Sequence, residues 1–285
     1  MSRYQLIGID LDGTLLSSDG TISQINVNAI AKARQAGVLV IPCTGRALRE
    51  SQFAMHAFDR LGVFVTGAVI NDLKTGCSLD LAVIEPHLAM TLIEQLYDLP
   101  EAVFVLHERS LTGYDYMVTG RGELMRSTQA WFQMTDSVVR FVNHPSLEDL
   151  HHALRVGVVA PSKRVAEVEK QITSQLKSQV NLHSFEAIAG AGAKDGVHVL
   201  EIFAGDVDKW RGIQWVAQQN DIADDAIAFI GDQVNDLPPI RAAACGIAMG
   251  NAEDVVKDAA DRHTSCCDEN GVAHAIDQLL SGVWD

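Results

Sequence analysis

The sequence predicts an α/β protein: a doubly wound parallel sheet into which a second α/β unit is inserted. Short, almost continuously apolar runs alternate with amphipathic stretches of helical length, which is typical of strands buried on both faces of a parallel sheet. This rhythm breaks after about residue 81, and its first form resumes near Val197. We therefore expect a discontinuous core at residues 1–84 and 192–285, with an inserted domain at residues 85–191 after the third core strand.

The first part of the core is predicted to contain three strands, two helices and a hairpin. Ser23 is a favourable N-cap for the first helix, and Gly37 can end it. The stretch LKTG at residues 73–76 is typical of a hairpin turn. The predicted elements are a strand at 4–9, a helix after Ser23, a strand at 38–41, a helix ending near Phe58, a strand at 63–65 and a hairpin at 68–81.

The inserted stretch has a less regular pattern that still predicts a separate α/β domain. Its helices are expected at 86–98, 122–133 and 162–176, and its strands at 103–107, 114–118, 138–142 and 156–159. It ends in GAGAKDG at residues 190–196, which is similar to a glycine-rich dinucleotide-binding loop. No buried strand leads into this stretch and no helix follows it, so a flexible joint is the better interpretation.

The last third of the chain returns to strands and helices of the doubly wound kind. Asp208 is placed to cap a helix that begins at Lys209. The predicted elements are strands at 197–203, 226–230 and 246–249, with the helix at 209–219 between the first two.

Composition excludes several classes of partner and location. The chain has 285 residues and a formal net charge of -15, which disfavours nucleic acid or an anionic membrane as a partner. No apolar run reaches membrane-spanning length, and Asp10 follows the N-terminus too closely for a signal peptide. The five cysteines have no metal-binding spacing and suit reduced thiols in the cytoplasm. Composition does not indicate an oligomeric state.

Polar residues cluster where the predicted core strands end. In an open α/β sheet these carboxyl ends meet at one edge, where ligands bind. Two carboxylates about 4 Å apart repel each other by about 4 kcal/mol at a realistic effective dielectric, so a cation or a proton must offset them. Two acidic clusters with a hydroxyl and a lysine are typical of a magnesium-assisted phosphoryl site. The clusters are Asp10, Asp12 and Thr14; Thr44, Gly45 and Arg46; Lys209; and Asp232, Asn235 and Asp236.

Four short motifs occur in a characteristic order: DLDGT, CTGR, VDKWRGI and GDQVND. In this order they resemble the motifs of the haloacid-dehalogenase-like (HAD) hydrolases. The ending GIAMGNAEDVVKDAADRHT, followed by ENGVAHAI, is similar to the Cof-type phosphatases of that superfamily, whose class IIB members carry an inserted α/β cap domain. The resemblance implies a HAD-like Rossmannoid core and a cap that selects the substrate.

The resemblance also implies a role for each motif residue. Asp10 would be the nucleophile that forms an aspartyl-phosphate, and Asp12 would be the general acid and base. Thr44, Gly45, Lys209 and Asn235 would bind the phosphoryl group. Mg²⁺ would be held by Asp10, the Asp12 carbonyl and Asp232, with Asp236 supporting the metal shell.

The implied function is hydrolysis of small phosphorylated metabolites, with sugar phosphates as the first candidates. Two alternatives remain open: a sugar phosphomutase or phosphotransferase of the same fold, and a slow phosphoryl-sensing regulatory protein. Asp12 favours an enzyme, since a lasting aspartyl-phosphate needs no efficient acid or base.

The chain departs from the family pattern at two places. Thr66 stands where Asn is usual, and Pro238 with Pro239 replaces large apolar residues. We expect the helix at the two prolines to survive, because proline is tolerated in a first helical turn.

Overall fold

The computed structural model describes residues 3–186 and 196–285. These form two compact units, one comprising Met1–Leu81 and Asp208–Asp285 and the other Ala82–Val207. The predicted joint at 190–196 lies outside the described residues except for Gly196.

The strands of the described residues are numbered along the chain. In order, β1 to β14 are Leu6–Ile9, Leu39–Pro42, Leu61–Phe64, Val69–Asp72, Ser78–Leu81, Val103–His107, Tyr116–Thr119, Val139–Phe141, Ala153–Pro161, Val180–Glu186, Val197–Ala204, Ile227–Gly231, Cys245–Ala248 and Arg262–His263.

The α-helices of the described residues are numbered in the same way. In order, α1 to α9 are Gln24–Gln35, Pro86–Leu96, Arg109–Thr112, Arg126–Met134, Ser162–Leu176, Lys209–Gln218, Leu237–Ala242, Asp254–Ala259 and Gly271–Ser281. No helix in the described part of the chain is both long enough and apolar enough to cross a membrane.

The first unit is built on a parallel five-stranded sheet in the order β14-β13-β12-β1-β2. Ile9, the last residue of β1, pairs in register with Ile230 of β12 and Pro42 of β2. The three strands therefore end together, and the residues that follow them meet at one edge of the sheet. All residues of β1 and β12 are buried, as expected for central strands of a sheet covered on both faces. The predicted doubly wound core is confirmed.

The helix cap, the helix end and the hairpin predicted for this unit are present. The Ser23 side chain accepts a hydrogen bond from Asn26 N at 3.1 Å, which caps α1. Gly37 follows the helix with a φ of 86°. The predicted hairpin is present as β4 and β5, and together with β3 it forms a separate three-stranded antiparallel sheet. The helix α7 includes Pro238 and Pro239 in its first turn, so the expectation that it survives is confirmed.

The second unit is a six-stranded, mainly antiparallel sheet in the order β10-β11-β9-β6-β7-β8. Helices α2 and α5 contribute apolar side chains to one buried cluster with β6, β9 and β11. In α5 these side chains recur at helical spacing, since Val165, Val168, Ile172 and Leu176 are the buried residues of the helix. The inserted stretch is therefore an α/β unit with its own core.

One prediction about this region was wrong. The strand at Val197 was expected to return to the core sheet, but β11 pairs antiparallel with β9 and β10 in the second unit. The first unit resumes at Asp208 and not at residue 192. A buried apolar run shows that a strand is present without showing which sheet it joins. The neighbouring β10 was missed because Asn181, His183 and Ser184 interrupt its apolar pattern.

Candidate active site

The turn that follows β1 carries the first acidic motif. Asp10 is 4% exposed, and Gly13, the residue directly after Asp12, has a φ of 73°. Thr14 is buried and donates from Oγ1 to Asp232 Oδ1 at 2.7 Å. A Cβ at Gly13 would lie only 2.3 Å from Asp232 Oδ2. Glycine therefore allows the turn after β1 to pack directly against the acidic loop after β12.

Lys209 joins the two acidic motifs. It is the first residue of α6, whose N-cap Asp208 accepts a hydrogen bond from Arg211 N at 2.8 Å. Its ammonium is completely buried and donates to Asp10 Oδ1 at 2.7 Å and to Asp236 Oδ1 at 2.6 Å. Both bonds are charge-assisted and short. Lys209 thus lies at the centre of the predicted site.

Asp236 organises the loop after β12. Its Oδ1 accepts from Lys209, and its Oδ2 accepts from the backbone N–H groups of Asp232 and Gln233 at 2.9 and 3.1 Å. Gly231 makes this packing possible, since a Cβ there would lie 2.5 Å from Asp236 Cγ. Both carboxylate oxygens of Asp236 are therefore engaged in fixing the site.

The electrostatics of the cluster show an excess of negative charge. Burial raises the pKa of Asp10 well above its ordinary value, and the carboxylates of Asp236, Asp232 and Asp12 add to this against the opposing effect of Lys209. Burial and Asp236 also raise the pKa of Asp232 to about 7, although the Thr14 hydrogen bond opposes the shift. Burial alone lowers the pKa of Lys209, but its two carboxylate partners raise it more, so that the group stays charged.

This donor set fits a divalent cation. Asp10, Asp232 and Asp236 form a group whose carboxylate oxygens lie within 4.8 Å of one another in the described part of the chain. One ammonium does not neutralise three carboxylates, and oxygen ligands suit a hard cation. Since both oxygens of Asp236 are engaged by protein donors, Asp10 and Asp232 are the better placed of the three to coordinate a metal.

Asp12 has a different partner from the other acidic residues. Arg46 donates from Nε to Asp12 Oδ2 at 2.7 Å and from Nη2 to Asp12 Oδ1 at 2.6 Å, which is a bidentate pair. The Asp12 side chain is 38% exposed, unlike the buried Asp10. Sequence reasoning placed Arg46 in one of the polar clusters without identifying Asp12 as its partner.

Apart from Lys209 in α6, the residues predicted to bind phosphate come from two loops. Thr44 is buried, and its Oγ1 accepts a hydrogen bond from Arg46 N at 3.2 Å. A Cβ on Gly45 would lie 3.8 Å from Asn235 Nδ2, which brings the loop after β2 next to the loop after β12. Asn235 Oδ1 is buried and has no hydrogen-bond partner in the described residues. The structure thus brings together all the residues predicted for the site, with the Asp12 carboxylate directed to Arg46.

Sequence reasoning missed one residue that supports the turn. Asn251 donates from Nδ2 to Gly13 O at 2.7 Å, and its Oδ1 accepts from Cys267 N at 2.8 Å. The motif GIAMGNAEDVV contained this residue, but no role could be read from the spacing alone.

The carboxylate cluster and the buried Lys209 lie at the strand ends of a doubly wound sheet. This arrangement places the protein among the enzymes of phosphoryl transfer. More particularly, the chain belongs to the haloacid dehalogenase-like hydrolases, whose family profile matches residues 7–276.

Known proteins similar over nearly the whole chain support this assignment. The 5-amino-6-(5-phospho-D-ribitylamino)uracil phosphatase YwtE of Bacillus subtilis is 30% identical, covering 98% of this chain and 99% of that protein. The pyridoxal phosphate phosphatase YbhA of Escherichia coli is 26% identical, covering 89% and 90%. The fold resembles that of the HAD subclass IIB sugar phosphatase BT4131, with a TM-score of 0.72 at 20% identity, covering 96% of this chain and 98% of that chain. The protein is accordingly a phosphoric monoester hydrolase that acts on small phosphorylated molecules.

Proposed function

We propose that the protein is a Mg²⁺-dependent phosphatase of small phosphorylated metabolites that works through an aspartyl-phosphate at Asp10. The observation that carries this proposal is the buried Lys209 ammonium, which bonds to Asp10 and Asp236 inside a cluster of three carboxylates. A cluster of this kind has the charge to hold a metal ion and a phosphoryl group together.

Asp10 is the proposed nucleophile. Lys209 binds its Oδ1, while Asp10 Oδ2 accepts no hydrogen bond from the described residues and is available to attack phosphorus. In the first step the Oδ2–P bond forms as the bond from phosphorus to the ester oxygen breaks. Lys209 remains beside the reacting carboxylate and stabilises the charge on the transferring group.

Asp12 is the proposed acid and base. It gives a proton to the ester oxygen as that oxygen leaves, and in the second step it accepts a proton from the water that attacks phosphorus. The Asp10–phosphorus bond then breaks and inorganic phosphate is released. Arg46 binds both oxygens of Asp12, so we expect the Asp12 side chain to leave this pair in order to reach the ester oxygen of the substrate.

The other motif residues bind the phosphoryl group and the metal. Thr44, Gly45 and Asn235 are proposed to bind the phosphoryl oxygens with Lys209. Asp10, the Asp12 carbonyl and Asp232 would hold Mg²⁺, with Asp236 supporting them. The ion would neutralise the negative charge that the carboxylates and the phosphoryl group bring together.

The substrate is proposed to be a phosphorylated metabolite, with sugar phosphates tested first. We further propose that the second unit, Ala82–Val207, acts as the cap that selects it, and that the protein is cytoplasmic. The names of the relatives widen the set of candidates to 5-amino-6-(5-phospho-D-ribitylamino)uracil and pyridoxal phosphate.

A substrate panel tests the proposal. Purified protein is incubated with phosphorylated sugars, the two heterocyclic phosphates and an aryl phosphate, with Mg²⁺ or with excess chelator, and released phosphate is measured. We expect Mg²⁺-dependent release from at least one metabolite and none from Asp10→Asn protein. A folded wild-type protein that releases phosphate from no member of the panel would contradict the proposal.

A further inference from the structure

The turn after β3 has an unusual backbone. Three consecutive residues have positive φ, with 51° at Val65, 54° at Thr66 and 94° at Gly67. Glycine adopts such angles freely, whereas the β-branched residues Val and Thr rarely do. Both of these side chains are buried, at 2% and 1% exposure. Strained backbone of this kind persists only where the surroundings hold it, and it is concentrated at functional sites.

Hydrogen bonds attach this turn to the phosphate loop after β2. Val65 N donates to Arg46 O at 3.0 Å, and Thr66 N donates to Thr44 O at 3.0 Å. The strained residues therefore fix the two carbonyls on either side of Gly45.

The turn is attached on its other side to the helix that carries Lys209. A Cβ at Gly67 would lie 1.9 Å from Asp208 O, so the two backbones are in direct contact. Arg211 of the same helix donates from Nη1 to Gly67 O at 3.0 Å. The turn thus connects two sets of residues that the proposed mechanism uses.

The Thr66 hydroxyl lies at the face of Gly45. A Cβ on Gly45 would be 3.4 Å from Thr66 Oγ1 and 3.8 Å from Asn235 Nδ2, so both side chains approach the same point. In the described part of the chain the hydroxyl of Thr66 has no hydrogen-bond partner, and Asn235 Oδ1 is buried without one. The Thr66 hydroxyl and the Asn235 Nδ2 amide are both donors near this point, so a ligand that completes them would present an acceptor oxygen.

We propose that Thr66 is a substrate-contacting residue whose hydroxyl donates a hydrogen bond to a phosphoryl oxygen at the face of Gly45. This rests on the proposed function, which places the phosphoryl group against Gly45. An oxygen there could also accept from Asn235 Nδ2. Asparagine adopts left-handed angles more readily than threonine, so backbone preference does not account for the residue present. A hydroxyl also contributes a donor without further charge.

The Thr66→Val variant tests this directly. Valine keeps the shape, the β-branch and hence the backbone strain, and it removes only the hydroxyl. Inorganic phosphate is titrated calorimetrically in the presence of Mg²⁺, and its inhibition constant is measured with an aryl phosphate as substrate. We expect the phosphate Kd to rise about tenfold, the order of one hydrogen bond to a charged group. KM should rise more than kcat falls, because the contact is made in the ground state as well.

Two further variants separate binding from folding. Thr66→Ser keeps the hydroxyl and should restore the phosphate Kd to within about twofold of wild type. Thr264 is a matched buried threonine whose hydroxyl donates to Gly271 O at 2.7 Å. Thr264→Val should lower Tm and leave the phosphate Kd unchanged, whereas Thr66→Val should leave Tm nearly unchanged, since it breaks no hydrogen bond within the protein.

The outcomes distinguish this proposal from the function on which it rests. Wild-type protein that binds phosphate and hydrolyses esters, with Thr66→Val equal to it in Kd and KM, would overturn the role of Thr66 alone. Wild-type protein that neither binds phosphate nor hydrolyses esters would overturn both. Should Thr66→Val fail to fold, Thr66→Gly removes the same hydroxyl and accepts the left-handed angles freely, and the same binding measurements decide.

Discussion

Replacing Asp232 by asparagine should make the metal-free protein more stable while removing its response to metal. The substitution keeps the shape of the side chain and an oxygen that can accept from the Thr14 hydroxyl, which lies 2.7 Å from Asp232 Oδ1. It removes a buried negative charge whose pKa is raised from 3.8 to about 7, first by burial and then by Asp236. The variant therefore avoids the free-energy cost that wild type incurs when this buried carboxyl ionises in the folded state.

The magnitude follows from the pKa shift. The pKa of Asp232 is higher in the folded state than in the unfolded state, so the folded protein binds this proton more tightly. The resulting contribution to stability is complete below about pH 4 and is lost as pH rises through about 7. A shift of about 3 units at 1.36 kcal/mol per unit corresponds to about 4 kcal/mol. In chelator at pH 8 we expect Asp232→Asn to raise the free energy of unfolding by that amount. At pH 5 most of this difference should vanish.

Calorimetric unfolding in chelator and in Mg²⁺, at both pH values, provides the measurement. Mg²⁺ should raise the Tm of wild type by mass action and should have little effect on Asp232→Asn. The exposed Asp225 is the matched control, since Asp225→Asn should leave both the pH dependence and the Mg²⁺ response unchanged. An Asp232→Asn protein that is less stable than wild type in chelator at pH 8 would refute the claim that the cluster carries an excess of negative charge.

Three other predictions concern the acid, the metal and the second unit. Asp12→Ala should slow phosphorylation of the enzyme by a sugar phosphate about 10²–10⁴-fold and by an aryl phosphate far less, because a phenolate leaves without a proton; rapid-quench kinetics would show a burst of phenol, and equal loss on both esters would contradict the role. Excess chelator should abolish hydrolysis, Mg²⁺ should restore it, and Ca²⁺ should not, because its looser coordination spoils the attack geometry; full activity in chelator would exclude a metal role. His107 has both ring nitrogens buried without hydrogen-bond partners in the described residues, and burial, His152 and Arg140 lower its pKa to about 4 against the effect of Asp149. As pH falls below 6.5, His107 therefore becomes protonated in the unfolded chain before it does so in the folded protein, and up to about 3 kcal/mol of the free energy of unfolding is lost by pH 4. In urea unfolding, His107→Leu should lose less free energy of unfolding over this range. A pH dependence equal to that of wild type would contradict this prediction.

The sequence predicted those features whose physical signals are local. The cap at Ser23, the hairpin turn at 73–76 and the apolar run of β1 each follow from neighbouring residues, and each is present. The parallel order of the core strands brings Asp10, Thr44 and Asp232 to one edge, as the sequence predicts, whereas Lys209 reaches them from the start of α6 and not from the end of a core strand.

Features that depend on distant partners could not be predicted in this way. The strand at Val197 has the pattern of a core strand, and only its pairing with β9 places it in the second unit. The pairing of Arg46 with Asp12 and the contact of Asn251 with Gly13 join residues 34 and 238 positions apart. The left-handed angles at Thr66 leave no sign in the sequence, because threonine does not favour them.

The central claim is that Asp10 forms a covalent phosphoenzyme, and mass spectrometry of rapidly quenched protein tests it most directly. Asp12→Ala protein, which should accumulate the intermediate, is mixed with an aryl phosphate and Mg²⁺ and quenched in acid. We predict one phosphoryl group per chain, located on the peptide that contains Asp10. The double variant that carries both Asp10→Asn and Asp12→Ala should have no such group. A phosphoryl group on another residue, or turnover of the ester with Asp10 replaced, would contradict the account.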